Sequence, residues 1–293
     1  MKYQFIEHHK REFPIVLMCN VLEVSESGFY AWRKHPTCQR QREDAQLTEE
    51  IRQVFAGHQG RYGSPRIHRE LKDQGRSTSR KRVARLMREA EMSARRKQRR
   101  VSTTRRDLSH AVAPNVLNRE FTASEPNQKW VTDITYIPTA QNWLYLAVIL
   151  DVYSRAVVGW SMSACCDEAL VESALKMAVA RRRPQAGLLH HSDRGCQYTS
   201  HAYRRQLEVL GIVVSMSRKG NCWDNALMES FFGSLKEECV GSTVYLTHEQ
   251  ARRSLFEYLE VYYNRQRRHS SLGYVSPFTY EQIEHNVDVL RLS

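Results

Sequence analysis

No C-x-x-C pair occurs among the seven cysteines, and their number is odd; together these features exclude a disulfide framework and a zinc ribbon. No apolar run reaches the roughly eighteen residues of a membrane span, and the opening MKYQFIEHHKREF lacks a signal-peptide pattern, so the cytoplasm is the expected location. Neither a solenoid repeat nor a sustained heptad is present. Acids are scarce where bases crowd. From Arg76 to Arg106 thirteen lysines and arginines face two acids, Glu89 and Glu91, which places nearly all of the net charge of +12 in about a tenth of the chain. That distribution predicts a polyanionic partner.

A chain of 293 residues at 41% hydrophobic content supports one sizeable core with smaller satellites, hence two or three domains. Within an N-terminal segment 1–40, Phe13 to Lys34 reads as two short helices around a turn, either a small helix-turn-helix or a docking hairpin. The region 41–94 makes a stronger case. A helix over TEEIRQVFAGH precedes a loop at Gly60 to Ser64, and a second helix opens with Ser64 as N-cap and Pro65 as its first residue, ending at Gly75. Ser79 then caps a third helix, in which Val83, Leu86, Met87 and Ala90 form an apolar stripe while Arg80, Lys81, Arg82, Arg85 and Arg88 occupy the other faces. Such a helix suits the DNA-facing element of a helix-turn-helix; a solvated basic face is the plainer alternative. Residues 95–123 read as a basic linker, whose charge also suits DNA.

From Pro126 the character changes. Strands are expected at KWVTDITYIPT, NWLYLAVILDVY and AVVGWSMS, then a helix over Asp167 to Arg183, a strand at GLLHHSD, a helix over SHAYRRQLEVLG, a strand at IVVSMS, and a helix from about Asn225 to Cys239. Three antiparallel strands followed by alternating helix and strand make an α/β sheet of mixed direction over 124–240. A helical extension, 241–293, follows: Thr247 to Arg265 opens with a T-x-x-Q capping box and carries Leu255, Tyr258, Leu259 and Tyr262 as its apolar stripe.

Three acids stand out. Asp133 lies mid-strand on the same side as Val131, Thr135 and Ile137, where aspartate is disfavoured; Asp193 closes a strand, at an end that commonly carries function; Glu229 sits at the edge of the apolar stripe Met228, Phe231, Phe232, Leu235. Singly they read as a strand-end cap, a turn acid and a solvated helix residue. Converging, three carboxylates would raise one another's pKa unless cations or bases offset them, and hard oxygen ligands with room for water and phosphate suit Mg²⁺ or Mn²⁺. Asp151 is a rival ligand, better placed for an ion pair with Arg155 or a turn contact. His190 and His191 have no partners at zinc spacing. Arg218, Lys219 and Gly220 suit a phosphate-gripping loop or a plain connector, and Trp223 either stacks on a base or packs.

NQKWVTDITYI, LYLAVILDVYSRAVVGW, HSDRGCQY, SRKGNCWDNALMESFFGSLKEE and YNRQRRHSSLGYVSP, with 35 residues between Asp193 and Glu229, resemble the second-frame (OrfB-type) transposases of the third insertion-sequence family over essentially the entire chain. The resemblance implies a ribonuclease H-like, integrase-type core with a mixed five-stranded sheet flanked by helices and preceded by small helical helix-turn-helix segments. It implies that Asp133, Asp193 and Glu229 hold two Mg²⁺ ions, with Mn²⁺ able to substitute, and that Lys236, seven residues after Glu229, contacts DNA. It implies cleavage and joining of strands at element ends, while the residue patterns themselves nominate Arg80, Lys81, Arg82, Arg85, Arg88, Arg218 and Lys219 for DNA contact. Partners would be element-end and target DNA, a first-frame (OrfA-type) protein joined by frameshifting, and further copies of this chain on nucleoid DNA. The sequence resembles the second-frame portion alone. Asn264, Arg267 and His269 match a family motif and are expected first to dock the C-terminal extension. A structure-selective or RNA–DNA hybrid nuclease, and a DNA-binding regulator with a dead core, are the alternatives.

Overall fold

Six helices among the described residues form the first of two compact units, Met1–Ala94, of the computed structural model, which describes residues 1–34, 39–94, 113–218, 222–241 and 244–283. Helices α1 (Lys2–His9), α2 (Ile15–Val21) and α3 (Glu26–Lys34) close on a core of Ile6, Met18, Cys19 and Phe29. Helix α1 was not expected, because Ile6 is its single buried residue and leaves no apolar stripe to read. A Cβ at Gly28 would collide with the Tyr3 hydroxyl, so glycine is what lets α3 approach α1.

Helices α4 (Gln39–Gly57), α5 (Ser64–Asp73) and α6 (Arg80–Glu89) bury Leu47, Ile51, Val54, Ile67, Leu71, Val83, Leu86 and Met87. The cap of α5 is Gly63, one residue earlier than expected, and Ser64 is the first helical residue. The Ser79 hydroxyl accepts the Arg82 amide at 3.2 Å, as its N-cap reading requires.

In the second unit, Arg95–Ser293, period-two alternation sets a five-stranded mixed sheet in the order β3-β2-β1-β4-β5. Strand β1 (Lys129–Thr139) pairs antiparallel with β2 (Asn142–Asp151), which pairs antiparallel with β3 (Val157–Ser163); β4 (Leu189–Ser192) runs parallel to β1, and β5 (Val213–Met216) parallel to β4. One face packs on α7 (Glu168–Arg182), the short α8 (Cys196–Thr199) and α9 (His201–Val209) through Trp130, Ile149, Val158, Leu170, Tyr198 and Leu207. A Cβ at Gly159 would overlap the Ala174 carbonyl and Ala178, so α7 lies directly on β3. On the other side, β1 meets α10 (Ala226–Leu235) and α11 (His248–Phe256). Both of these helices continue as π-helical turns, Lys236–Val240 and Glu257–Tyr263, which the sequence pattern did not announce.

Candidate active site

Strand β4 pairs with β1 over three residues, the last pair being Val131 with His191. Asp133 and Asp193 each lie two residues beyond that pair. Parallel register and two-residue alternation therefore bring them to equivalent positions on one face, at the fork where the strands part. Asp193 is the second residue past the pairing of β4 with β1 and the first after β4 itself. Its Oδ1 accepts the Gly195 amide at 2.9 Å, and Oδ1 of Asp133 accepts the Ile134 amide at 2.8 Å.

Beyond the fork, α10 closes on the exposed edge of β1. Asn225, just before α10, donates from Nδ2 to the Thr132 carbonyl at 3.3 Å, while its buried Oδ1 has no hydrogen-bond partner. One turn later along the chain comes Glu229, half-buried. The charges of Asp193, Glu229 and Lys236 all reach Asp133. Burial first, then Asp193, then more weakly Glu229 push the Asp133 carboxyl well above the usual carboxylate range, against the Ile134 amide and Lys236, which pull it down. The Lys236 ammonium lies 4.6 Å from the centroid of the Tyr136 ring, three residues along β1 from Asp133, and Tyr136 meets Trp143 edge-on at 4.8 Å.

The donor set is hard oxygen under mutual repulsion, which a divalent cation would offset. Among the described residues no group of three His, Cys, Asp or Glu forms a ready-made metal cage. The acids fit an open site, of the kind that water and phosphate oxygens complete.

Several neighbours went unread in the sequence. The buried Tyr198 hydroxyl contacts Thr132 Oγ1 at 3.2 Å, behind the fork. Asp224, an unremarkable loop acid by sequence, is a buried hub: it accepts from Asn115 Nδ2 at 2.8 Å, Arg119 Nε at 2.9 Å, and Arg218 N and Nε at 2.8 and 2.9 Å. Those bonds, led by the Arg218 side chain, hold its carboxyl far below the usual range. Arg218 thus clamps the loop, while its side chain stays 47% exposed beside Asp224. Lys219 lies outside the described residues. The rival Asp151 is buried in a turn, accepting the Asn127 and Tyr153 amides at 2.6 and 2.8 Å, and no ion pair with Arg155 is formed.

Both histidines beside Asp193 are structural. His190 Nε2 pairs with the Tyr203 hydroxyl at 2.8 Å, and His191 bridges Ser215 and Ser217 at 2.8 and 3.2 Å. Burial lowers them to about 3 and about 4 from an ordinary 6.5, the latter against a raising contribution from Asp224. Above pH 6.5 both folded and unfolded chains keep them neutral; below it the unfolded chain takes up protons that the folded chain refuses. Denaturant midpoints are therefore expected to fall as pH drops from 6.5 towards 4. A flat profile across that window would contradict the assignment.

In the first unit the five cations of α6 separate into two groups. Arg82 Nε and Arg85 Nη2 each bond Asp44 of α4 at 2.7 Å, so they tie helices together. Arg80, Lys81 and Arg88 are exposed.

Comparison with known proteins is decisive at the family level. Integrase core domain models match residues 123–222 and 210–277, and an HTH-like domain model matches 41–100. The transposase InsF of insertion sequence IS3A from Escherichia coli K12 is 43% identical over 283 residues, covering 96% of this chain and 98% of its own. The chain belongs to the IS3 family of transposases. An uncharacterized 31 kDa protein of insertion element IS600 from Shigella sonnei is also 43% identical, over 92% of this chain and 99% of its own. Solved structures similar to the transposase include a simian T-cell lymphotropic virus intasome in complex with a PP2A regulatory subunit (14% identity, 79% of this chain, 74% of that one, TM-score 0.45) and the HTLV-2 integrase catalytic core with magnesium (17%, 54% and 99%, TM-score 0.42). The transposase has the expected ribonuclease H-like core, a mixed five-stranded sheet flanked by helices, after a helical helix-turn-helix region. It is a polynucleotidyl transferase of the DDE type. No described helix is long and apolar enough to cross a membrane.

Proposed function

We propose that Asp133, Asp193 and Glu229 are the ligands of two Mg²⁺ ions, replaceable by Mn²⁺, at which the transposase cuts and joins DNA strands at the ends of its own element. The observation that carries this reading is the register of β1 and β4, which sets the two aspartates side by side, with the charge of Glu229 also bearing on Asp133. When bound, the ions supply an activated water or 3′-hydroxyl and offset charge on the departing 3′-oxygen. Lys236, propped on Tyr136, pairs with a substrate phosphate beside the acids. Asn225 fixes the start of α10 to β1 and so holds Glu229 over the fork.

The helix-turn-helix, 41–94, supplies DNA affinity through the exposed face of α6, and the basic linker adds to it. A first-frame protein completes end recognition, copies of the transposase assemble on paired ends, and DNA binding keeps the chain on the bacterial nucleoid. Replacing Arg80, Lys81 and Arg88 by Gln is expected to flatten the plot of log affinity against log salt by roughly two to three, since each lost phosphate contact removes about 0.9 from the slope. Replacing Arg82 and Arg85 is expected to lower the melting temperature of the unit with a smaller change in slope. Equal slopes for both variants would refute this division of the cations.

The test is a cleavage and joining assay on duplex element ends with the full chain and its first-frame partner. Mg²⁺-dependent products that include joined strands, abolished by a chelator, are expected. Cleavage indifferent to chelation would overturn the ligand assignment; metal-dependent hydrolysis without joining would favour the nuclease alternative.

A further inference from the structure

Trp223 is 68% exposed, although it follows closely on β5 and precedes Glu229 by six residues. Packing, one of its two sequence readings, is thereby excluded. Exposure of a large apolar side chain is unremarkable on a loosely held loop, but this one is firmly mounted. The next two residues, Asp224 and Asn225, are 1% and 7% exposed. Asp224 is bonded to Asn115, Arg119 and Arg218, and Asn225 to the Thr132 carbonyl, so the short 3₁₀ turn Cys222–Asn225 is tied to three separate parts of the core. The indole therefore projects from a fixed base, two residues from Asn225, whose side chain touches the residue before Asp133. Arg119 and Arg218, whose side chains are 46% and 47% exposed while bonded to Asp224, give the same turn a cationic rim. An apolar aromatic face within a positive rim matches a nucleobase attached to a phosphate backbone.

We propose that Trp223 is a base-stacking wedge, its indole taking the face of a nucleobase next to the phosphodiester that is cut, so that the strand is held unstacked at the acids. This rests on the strand-cleavage reading above. Stacking on an aromatic side chain tolerates any base, so the wedge positions the junction without selecting its sequence.

The experiment places 2-aminopurine at the junction between element and flanking duplex and follows its emission on binding the full chain with its first-frame partner. Wild type and Trp223→Phe are expected to change the emission alike, and Trp223→Ala to abolish the change. Cleavage by Trp223→Ala is expected to fall roughly ten- to hundredfold and to recover on DNA mismatched at the junction. Melting temperature should stay at the wild-type value. Unchanged emission and cleavage in Trp223→Ala would overturn the wedge, as would lost cleavage with unchanged emission, or a loss of self-association with unchanged emission. Failure of the metal-ligand reading is separable, because it would appear as full cleavage by Glu229→Gln whatever the emission shows.

Discussion

Asp133→Asn is expected to melt at a higher temperature than the wild type in metal-free buffer and to cleave DNA more than about a hundredfold more slowly. The two effects share one cause. Asp133 carries its charge in a half-buried place already occupied by the fields of Asp193 and Glu229, and those fields together with burial disfavour the ionised carboxyl. Asparagine keeps the shape and removes the repulsion, so the fold gains. The same repulsion is what makes the cluster attractive to a divalent cation, so the site loses. Replacing residues that merely support a metal ligand typically costs about 10- to 100-fold, and removing a ligand should exceed that. Mg²⁺ is expected to raise the melting temperature of the wild type and to leave that of the variant nearly unchanged. A variant that is less stable than the wild type, or one that retains activity, would show that the acids are not held in mutual tension. Glu229→Gln is expected to lose activity in the same way while retaining DNA binding.

The second large effect lies away from the carboxylates. Arg267→Ala is expected to destabilise the catalytic unit by about 3–5 kcal/mol, the usual consequence of leaving one member of a buried ion pair alone. Arg267 and Glu238 are each 5% exposed and meet through two parallel bonds, Nε to Oε2 at 2.7 Å and Nη2 to Oε1 at 2.8 Å. The Tyr258 hydroxyl donates to the same carboxylate at 3.0 Å. Glu238 stands two residues beyond Lys236 on the π-helical turn, so the bond reaches the end of the helix that carries Glu229. Chemical denaturation measures the loss. Exchanging both partners for apolar residues should recover much of it, since the cost lies mainly in the orphaned charge; equal losses in the single and double variants would point instead to packing.

Much of this was legible beforehand, and the exceptions have common causes. Strands β1 to β3 and the caps Ser79 and Thr247 follow from alternation and from a hydroxyl placed before an apolar run, and each cap accepts the amide three residues on. The three acids were legible as a set because their spacing and surrounding phrases match a family; their chemistry individually was not. The cations were harder. The bonds that Arg82 and Arg85 make were hidden because their acid, Asp44, lies 38 and 41 residues away in sequence and on another helix. The bonds of Arg218 to Asp224 went unread for a related reason: nothing about a loop aspartate announces that it will be buried. The docking role expected of the C-terminal motif is met by Arg267 and by Asn264, which accepts and donates at 2.9 Å to the backbone of Val157. The π-helical turns left only a faint trace, the adjacent burial of Tyr262 and Tyr263 where a regular helix would turn one of them outward.

The parallel pairing of Val131 with His191 also says which changes of length this transposase can absorb. The connection between the two aspartates runs through a hairpin, two further strands and a helix, and loops along it can grow or shrink while β4 still finds β1. A single residue inserted between His191 and Asp193 is different. It would turn Asp193 to the opposite face of the sheet while leaving every strand in place. For this pair of residues, distance along the chain is free to drift, and phase is not.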